Sequence, residues 1–121
     1  MTVKTKSTNV QLHTLIRTLK MKSKENNAKI WRYLAEILEK PKRKRVAVNI
    51  SKINRYSEKG ETVVVPGKVL GTGELKHPVT VAAFKFSLSA KEKIIKAGGK
   101  TITITELLES NPSGSSVKIL I

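Results

Sequence analysis

The stretch from Val79 to Ile104 reads VTVAAFKFSLSAKEKIIKAGGKTITI. Its first part, Val79 to Phe86, is the most apolar strand candidate in the chain. Ser89-Ala90-Lys91-Glu92 has the spacing of a capping box, where a serine and a glutamate three residues on satisfy each other's free amides. It opens a helix with Ile94, Ile95 and Ala97. Gly98-Gly99 stops that helix, and Thr101 to Ile104 sets Ile102 and Ile104 on one face of a second strand. Thr105 then caps a short helix from Glu106 to Glu109. Asn111-Pro112-Ser113-Gly114 is a loop, and Val117 to Ile121 is a last strand. Strand, helix, strand, helix, strand predicts a βαβ-like unit with partly parallel pairing.

Working back from this stretch, Thr62-Val63-Val64-Val65 is β-branched throughout and reads as a buried strand. Pro66-Gly67 reads as a turn, Lys68-Val69-Leu70 as a short returning strand, and Gly71-Thr72-Gly73-Glu74 as a loop. Val46 to Ile50 reads as a strand with Val46, Val48 and Ile50 on one side. Ser51 caps a brief helix, Lys52 to Tyr56, that exposes Lys52 and Arg55. Glu58-Lys59-Gly60 is a turn.

Further towards the N-terminus, Leu12, Leu15, Ile16 and Leu19 have the i, i+3, i+4, i+7 spacing of an amphipathic helix, with Thr8 or Asn9 as its cap. Residues 1–8 read as a flexible arm, disordered or ordered by a partner. Arg17 and Lys20 lie off the apolar stripe; Lys22 and Lys24 follow where cations suit the helix dipole. Glu25-Asn26-Asn27 breaks the pattern. Trp31, Leu34, Ala35 and Leu38 make a second apolar stripe, again at i, i+3, i+4, i+7. Pro41 ends this helix, because its ring disfavours helical geometry at Lys40. The two helices predict an antiparallel pair. Trp31 can stack on a base or anchor the core, and its place on the apolar face favours the core. The expected fold class is mixed α/β: two N-terminal amphipathic helices, then a small β/α domain with irregular β-β-α turns and a partly parallel sheet. One domain covers 9–121, with a basic helical and extended region at 9–45 and a β/α core at 46–121.

The 121 residues carry 24 Lys+Arg against 9 Asp+Glu, a net charge of +15, and no cysteine. All nine acids are Glu. No Cys means no disulfide framework, thiolate metal site or thiol chemistry. No apolar run approaches the ~18–20 residues that span a bilayer, and the polar start lacks the apolar stretch of a secretory signal. The expected location is the cytoplasm. The charge is uneven: residues 1–60 hold sixteen basic and four acidic side chains, a net +12, while 61–121 hold eight and five, a net +3. Such asymmetry points to a binding face for a polyanion. Nucleic acid is the usual partner. An anionic membrane is the rival; the chain lacks an amphipathic helix with Trp or Phe facing lipid and a basic opposite face, although Trp31 has some of that character.

The motifs of catalysis fail. Gly99-Lys100-Thr101 resembles the end of a phosphate-binding loop, yet Ile94 stands where its first glycine belongs, and the order of helix and strand is reversed. Gly71-Thr72-Gly73 lacks the third glycine of a dinucleotide fingerprint, although such a loop can bring amides near a phosphate. Asn49-Ile50-Ser51 matches a glycosylation sequon without a secretion signal. His13 and His77 are far apart and have no Asp or Cys beside them, so no zinc site is expected. No cofactor, metal, catalytic residue or small-molecule substrate is expected.

What survives is the ribbon Lys40-Pro41-Lys42-Arg43-Lys44-Arg45, five cations in six residues, running on to Lys52. Cations at this density position a protein on phosphates without reading sequence. Tyr56, beside Arg55, either stacks on an unpaired base or is half-buried.

The wording of three segments resembles one family. They are Pro41 to Arg55 (PKRKRVAVNISKINR), Val63 to Gly71 (VVVPGKVLG) and His77 to Phe84 (HPVTVAAF). With the Ala97-Gly98-Gly99 helix end and the Val117 to Ile121 tail, they are similar to the archaeal and eukaryotic large-subunit ribosomal protein family called eighteen-e. That family is in turn similar to the bacterial-type large-subunit protein fifteen. The likeness covers about residues 8–121 and departs at Val46, where the family has a smaller residue. The short chain suggests the archaeal form. The resemblance implies a structural component of the large ribosomal subunit, with large-subunit rRNA and neighbouring ribosomal proteins as partners and no enzymatic activity. The expected RNA-binding residues are Arg17, Lys20, Lys22, Lys24, Arg32, Lys40, Lys42, Arg43, Lys44, Arg45, Asn49, Lys52, Arg55, Tyr56, Lys68, Gly71, Thr72, Gly73 and His77. A free-standing RNA chaperone or regulator using the same surface is the alternative.

Overall fold

The structure is a computed structural model that describes residues 2–40 and 46–121, with first-helix side chains from Leu12 onward. The elements are α1 (Thr2–Asn26), α2 (Lys29–Glu39), β1 (Ala47–Asn49), α3 (Ile50–Tyr56), β2 (Thr62–Leu70), β3 (Thr80–Phe86), α4 (Leu88–Lys96), β4 (Lys100–Ile102), α5 (Ile104–Ser110) and β5 (Val117–Ile119).

β2 is the spine of the sheet. β3 pairs along one of its edges, and β1 and β5 share the other: β5 lies against Thr62, Val63 and Val64, and β1 against Lys68, Val69 and Leu70. β4 pairs with β3. Every pairing among the described strands is parallel, so the sheet is more regular than the partly parallel one expected. Three of its connections carry a helix, as parallel neighbours require. The connection from β2 to β3 does not. Thr80 pairs with Thr62, so Gly71 to Val79 must travel back along β2, about 26 Å at ~3.3 Å per residue. That reach demands a largely extended strap. The strap is pinned to α3: the Ser51 amide donates to the Thr72 carbonyl at 3.0 Å, the Lys76 amide donates to Asn54 Oδ1 at 2.9 Å, and His77 Nε2 lies 3.0 Å from Ser57 Oγ.

Alternation of strand side chains gives the sheet two cores. Val64 and Ala82 face α1, α2 and α5, meeting Leu19, Trp31, Leu34, Leu38, Leu107 and Leu108. Val63, Val65, Val81 and Ala83 face α3 and α4, meeting Ile50, Ile53, Ala90 and Ile94. The result is three layers, helices on both sides of a parallel sheet. Trp31 is fully buried and its Nε1 donates to the Pro112 carbonyl at 2.7 Å, so its polar edge is satisfied as a core anchor. α2 stops at Glu39 and Lys40 is extended at φ −74°, ψ 145°, the geometry its following proline favours.

Several boundaries differ from the sequence reading. α1 starts at Thr2, so residues 2–8, expected as an arm, are helical backbone, and neither Thr8 nor Asn9 is its cap. The segment holds no Gly or Pro, and a helix nucleated by packing extends at small cost per residue. Pro66-Gly67 is no turn: β2 runs straight through it, with a register shift against β3 between Val65 and Lys68. Proline sits in a strand where the ladder is interrupted. Gly67 is needed because a Cβ there would collide with the Val46 carbonyl. Asn49, not Ser51, precedes α3, and Ile50 is its first residue rather than a strand end. Ser87, not Ser89, caps α4, accepting from the Ala90 amide. Thr103, not Thr105, caps α5, and Ile104 is helical rather than a strand end. The last strand stops at Ile119.

Candidate nucleic-acid interface

Packing of the apolar stripe onto α2 turns the opposite face of α1 outward. Arg17, Lys20 and Lys24, three and four residues apart, are exposed there, and Lys22 is half-buried. Some of these cations are neutralised locally. Lys20 Nζ lies 3.0 Å from Glu39, Lys22 Nζ 3.7 Å from Glu25, and Arg32 Nε 3.6 Å from Glu36. Such exposed pairs contribute about 0–1 kcal/mol and open readily to a stronger anion. Among the described residues Arg17, Lys24, Arg55, Lys68 and Lys85 make no ion pair. A groove lined by Leu12, His13, Ile16, Arg17, Lys20, Leu38 and Glu39 runs between the two helices. It lies beside the end of α2, where exposed Lys40 leads into the ribbon. Lys42, Arg43, Lys44 and Arg45 lie outside the described residues.

The remaining expected residues lie elsewhere. Asn49 ends β1 beside Leu70, half-buried. Lys52 and Arg55 are exposed on α3, across the sheet from α1 and α2; Lys52 Nζ donates to the Ile121 carbonyl at 2.6 Å. Tyr56 is 50% exposed at the end of α3. Lys68 is exposed on β2. Gly71, Thr72 and Gly73 form a loop whose carbonyls are used internally. Lys93 Nζ donates to Gly71 and Gly73, and the Ser51 amide donates to Thr72. Gly73 has φ +103°, and a Cβ there would meet Ser51. This loop is thus held by its own chain, with Thr72 alone of the three exposed. His77 is half-buried against Ser57. Among the described residues the expected cations therefore spread over both helical layers and the sheet at Lys68, rather than forming one patch.

Lys85 and Phe84, exposed on β3, were not singled out from the sequence. The signal in VTVAAFKF was the charge of Lys85 inside an apolar strand; alternation places these adjacent residues on opposite faces. Lys93, which ties the 71–73 loop, has no such signal, because its partners are carbonyls brought near by the fold.

Among the described residues no group of three His, Cys, Asp or Glu is placed to hold a metal ion, and every buried side-chain nitrogen or oxygen has a partner. No described helix is long and apolar enough to cross a membrane. A strongly basic three-layer α/β domain with exposed cations such as Arg17, Lys24 and Arg55 outside any ion pair belongs to the class of binding and scaffolding proteins.

Comparison with known proteins narrows that class. A family model described as "Ribosomal protein 60S L18 and 50S L18e" matches residues 2–121. The chain is 54% identical over 120 residues to the large ribosomal subunit protein eL18 of Methanoregula boonei, covering 99% of each. It is 51% identical over 113 residues to eL18 of Methanothermobacter thermautotrophicus, covering 93% of each. Against eL18 of Methanococcus maripaludis the identity is 53% over 114 residues, covering 94% of this chain and 95% of the relative. The chain belongs to this ribosomal protein family, which is structural and not enzymatic.

Proposed function

We propose that the protein is a structural constituent of the large ribosomal subunit in the cytoplasm, and that it binds large-subunit rRNA through its basic N-terminal half. The observation that carries this reading is the net +12 of residues 1–60 together with the exposed, unpaired cations Arg17, Lys24 and Arg55. Fixed like charges repel one another and destabilise a small domain. Phosphates relieve that repulsion and release counterions as they do so. The ribbon 40–45 is the main contact. The α1 face, α3 and the 68–77 segment contribute flanking contacts, and neighbouring ribosomal proteins cover part of the rest.

Replacing Arg43, Lys44 and Arg45 together with Ala tests this. Affinity for protein-free large-subunit rRNA falls by tenfold or more in filter binding, while the circular dichroism spectrum and melting temperature stay those of the parent. Unchanged rRNA affinity in the triple variant rejects the ribbon as the contact.

A further inference from the structure

Four side chains form a single track along the outer side of α1. His13, Arg17, Lys20 and Lys24 follow one another at intervals of four, three and four residues. At 3.6 residues per turn they fall within about 60° of the helix circumference and span about 16 Å of its length. All four are exposed, while the same helix turns Ile16 and Leu19 into the core. His13, Arg17 and Lys24 have no acidic partner among the described residues. Glu25, the one acid of α1, lies off the track and pairs with Lys22 at 3.7 Å. Lys24 stands at the closed end of the helical hairpin, where the Ala28 amide donates to the Ser23 carbonyl at 2.9 Å. That end is the length of α2 away from Lys40.

A single carboxylate reaches the track, and it comes from the other helix. Glu39 lies 3.0 Å from Lys20 Nζ, with both side chains about half exposed. Such an exposed pair is weak and opens to a stronger anion. α1 holds no Phe, Tyr or Trp, the rings that usually stack a splayed base. A straight, rigid row of cations suits phosphates held in register, as they are along one strand of a paired helix. Paired RNA is met in just this way, by shape and backbone rather than by base edges.

We propose that this track lies along the sugar-phosphate backbone of a paired RNA segment, with His13, Arg17, Lys20 and Lys24 on phosphates and Glu39 competing with the RNA for Lys20. The proposal rests on the rRNA-binding reading. To it are added His13, which offers a ring N–H in either protonation state, an internal competitor, and paired RNA as the class bound by this face. Lys22, off the track and tied to Glu25, takes no part.

The full chain is titrated with an RNA hairpin whose stem has about sixteen base pairs, the span of a double-strand-binding module, and with a single strand of the same nucleotide count. Arg17→Gln with Lys24→Gln makes the slope of log affinity against log salt shallower by about 2 on the hairpin, one for each lost phosphate contact, and costs the single strand less. Lys91→Gln with Lys96→Gln removes the same charge from the exposed side of α4 and leaves that slope unchanged. Glu39→Gln raises hairpin affinity about threefold by releasing Lys20, a gain that misfolding cannot imitate. Glu109→Gln, the same change of charge on α5, gives less. A slope change no greater than that of the α4 pair overturns the proposal. So does an equal loss on hairpin and single strand, or an equal gain for Glu39→Gln and Glu109→Gln. If the ribbon triple variant loses affinity while Arg17→Gln with Lys24→Gln does not, the α1 track alone falls. If the parent chain binds neither RNA at low salt, the rRNA reading falls and takes the track with it.

Discussion

Glu61 stands just before β2, where the chain turns out of Gly60. Its Oε1 accepts from the Glu58 amide at 2.6 Å and lies 3.1 Å from Lys118 Nζ. These contacts, the amide first and Lys118 next, hold the carboxyl below its ordinary value of 4.5. A group with a lowered folded-state pKa binds its proton more weakly when folded. Its contribution is therefore complete above the unfolded value and is lost as pH falls through the folded one. Glu61→Gln is expected to lower the melting temperature near neutral pH, and the gap to the parent to close as pH falls below about 4. A gap of the same size from neutral pH to about pH 3 contradicts this. At this scale the sequence was most legible where apolar spacing alone decides. Trp31 is in the core because Leu34, Ala35 and Leu38 share its face. It was least legible at Gly67, whose need is set by the Val46 carbonyl of another strand.

Whole elements were legible in kind and less so at their ends. Three of the missed caps, Asn49, Ser87 and Thr103, each lie two residues before the ones chosen. Ser89 matched the capping pattern, but its side chain packs where a Cβ on Gly71 would stand. Ile104 continued the alternation begun by Ile102, yet it belongs with Leu107 and Leu108 on the helical stripe of α5. Two periodicities overlap at that residue, and tertiary burial chooses between them. Thr103 and Glu106 form a reciprocal capping box, with the Thr103 amide donating to Glu106 Oε1 at 2.8 Å and the Glu106 amide to Thr103 Oγ1 at 3.0 Å. Thr103→Ala is expected to cost about 1 kcal/mol of stability in urea unfolding. α5 packs its stripe against α1 and the sheet, so the loss appears in the global transition; an unchanged midpoint contradicts the cap's role. Pro66-Gly67 was read as a turn because the pair usually marks one. In a long parallel strand the same pair marks an interruption of the ladder, and only the pairing partners distinguish the two.

The molecule as a whole divides its labour unevenly. Residues 61–121 supply most of a nearly neutral parallel sheet with its own helices. Residues 1–60 supply the helical pair, the ribbon and most of the charge. That division was visible in composition, and the mixed α/β class followed from element order. The fully parallel pairing was not visible, because the direct β2 to β3 strap looks like a reversal in sequence. Nor was the distribution of cations over two layers, since α3 and α1 reach opposite sides of the sheet only through the β1 crossover. The central claim is that this charge serves phosphate neutralisation, and salt tests it most directly. The affinity of the full chain for protein-free large-subunit rRNA is measured between about 50 and 200 mM salt. For roughly six to ten contacted phosphates, log affinity against log salt falls with a slope of about −4 to −7. A slope near zero, with affinity retained at the higher salt, contradicts the account.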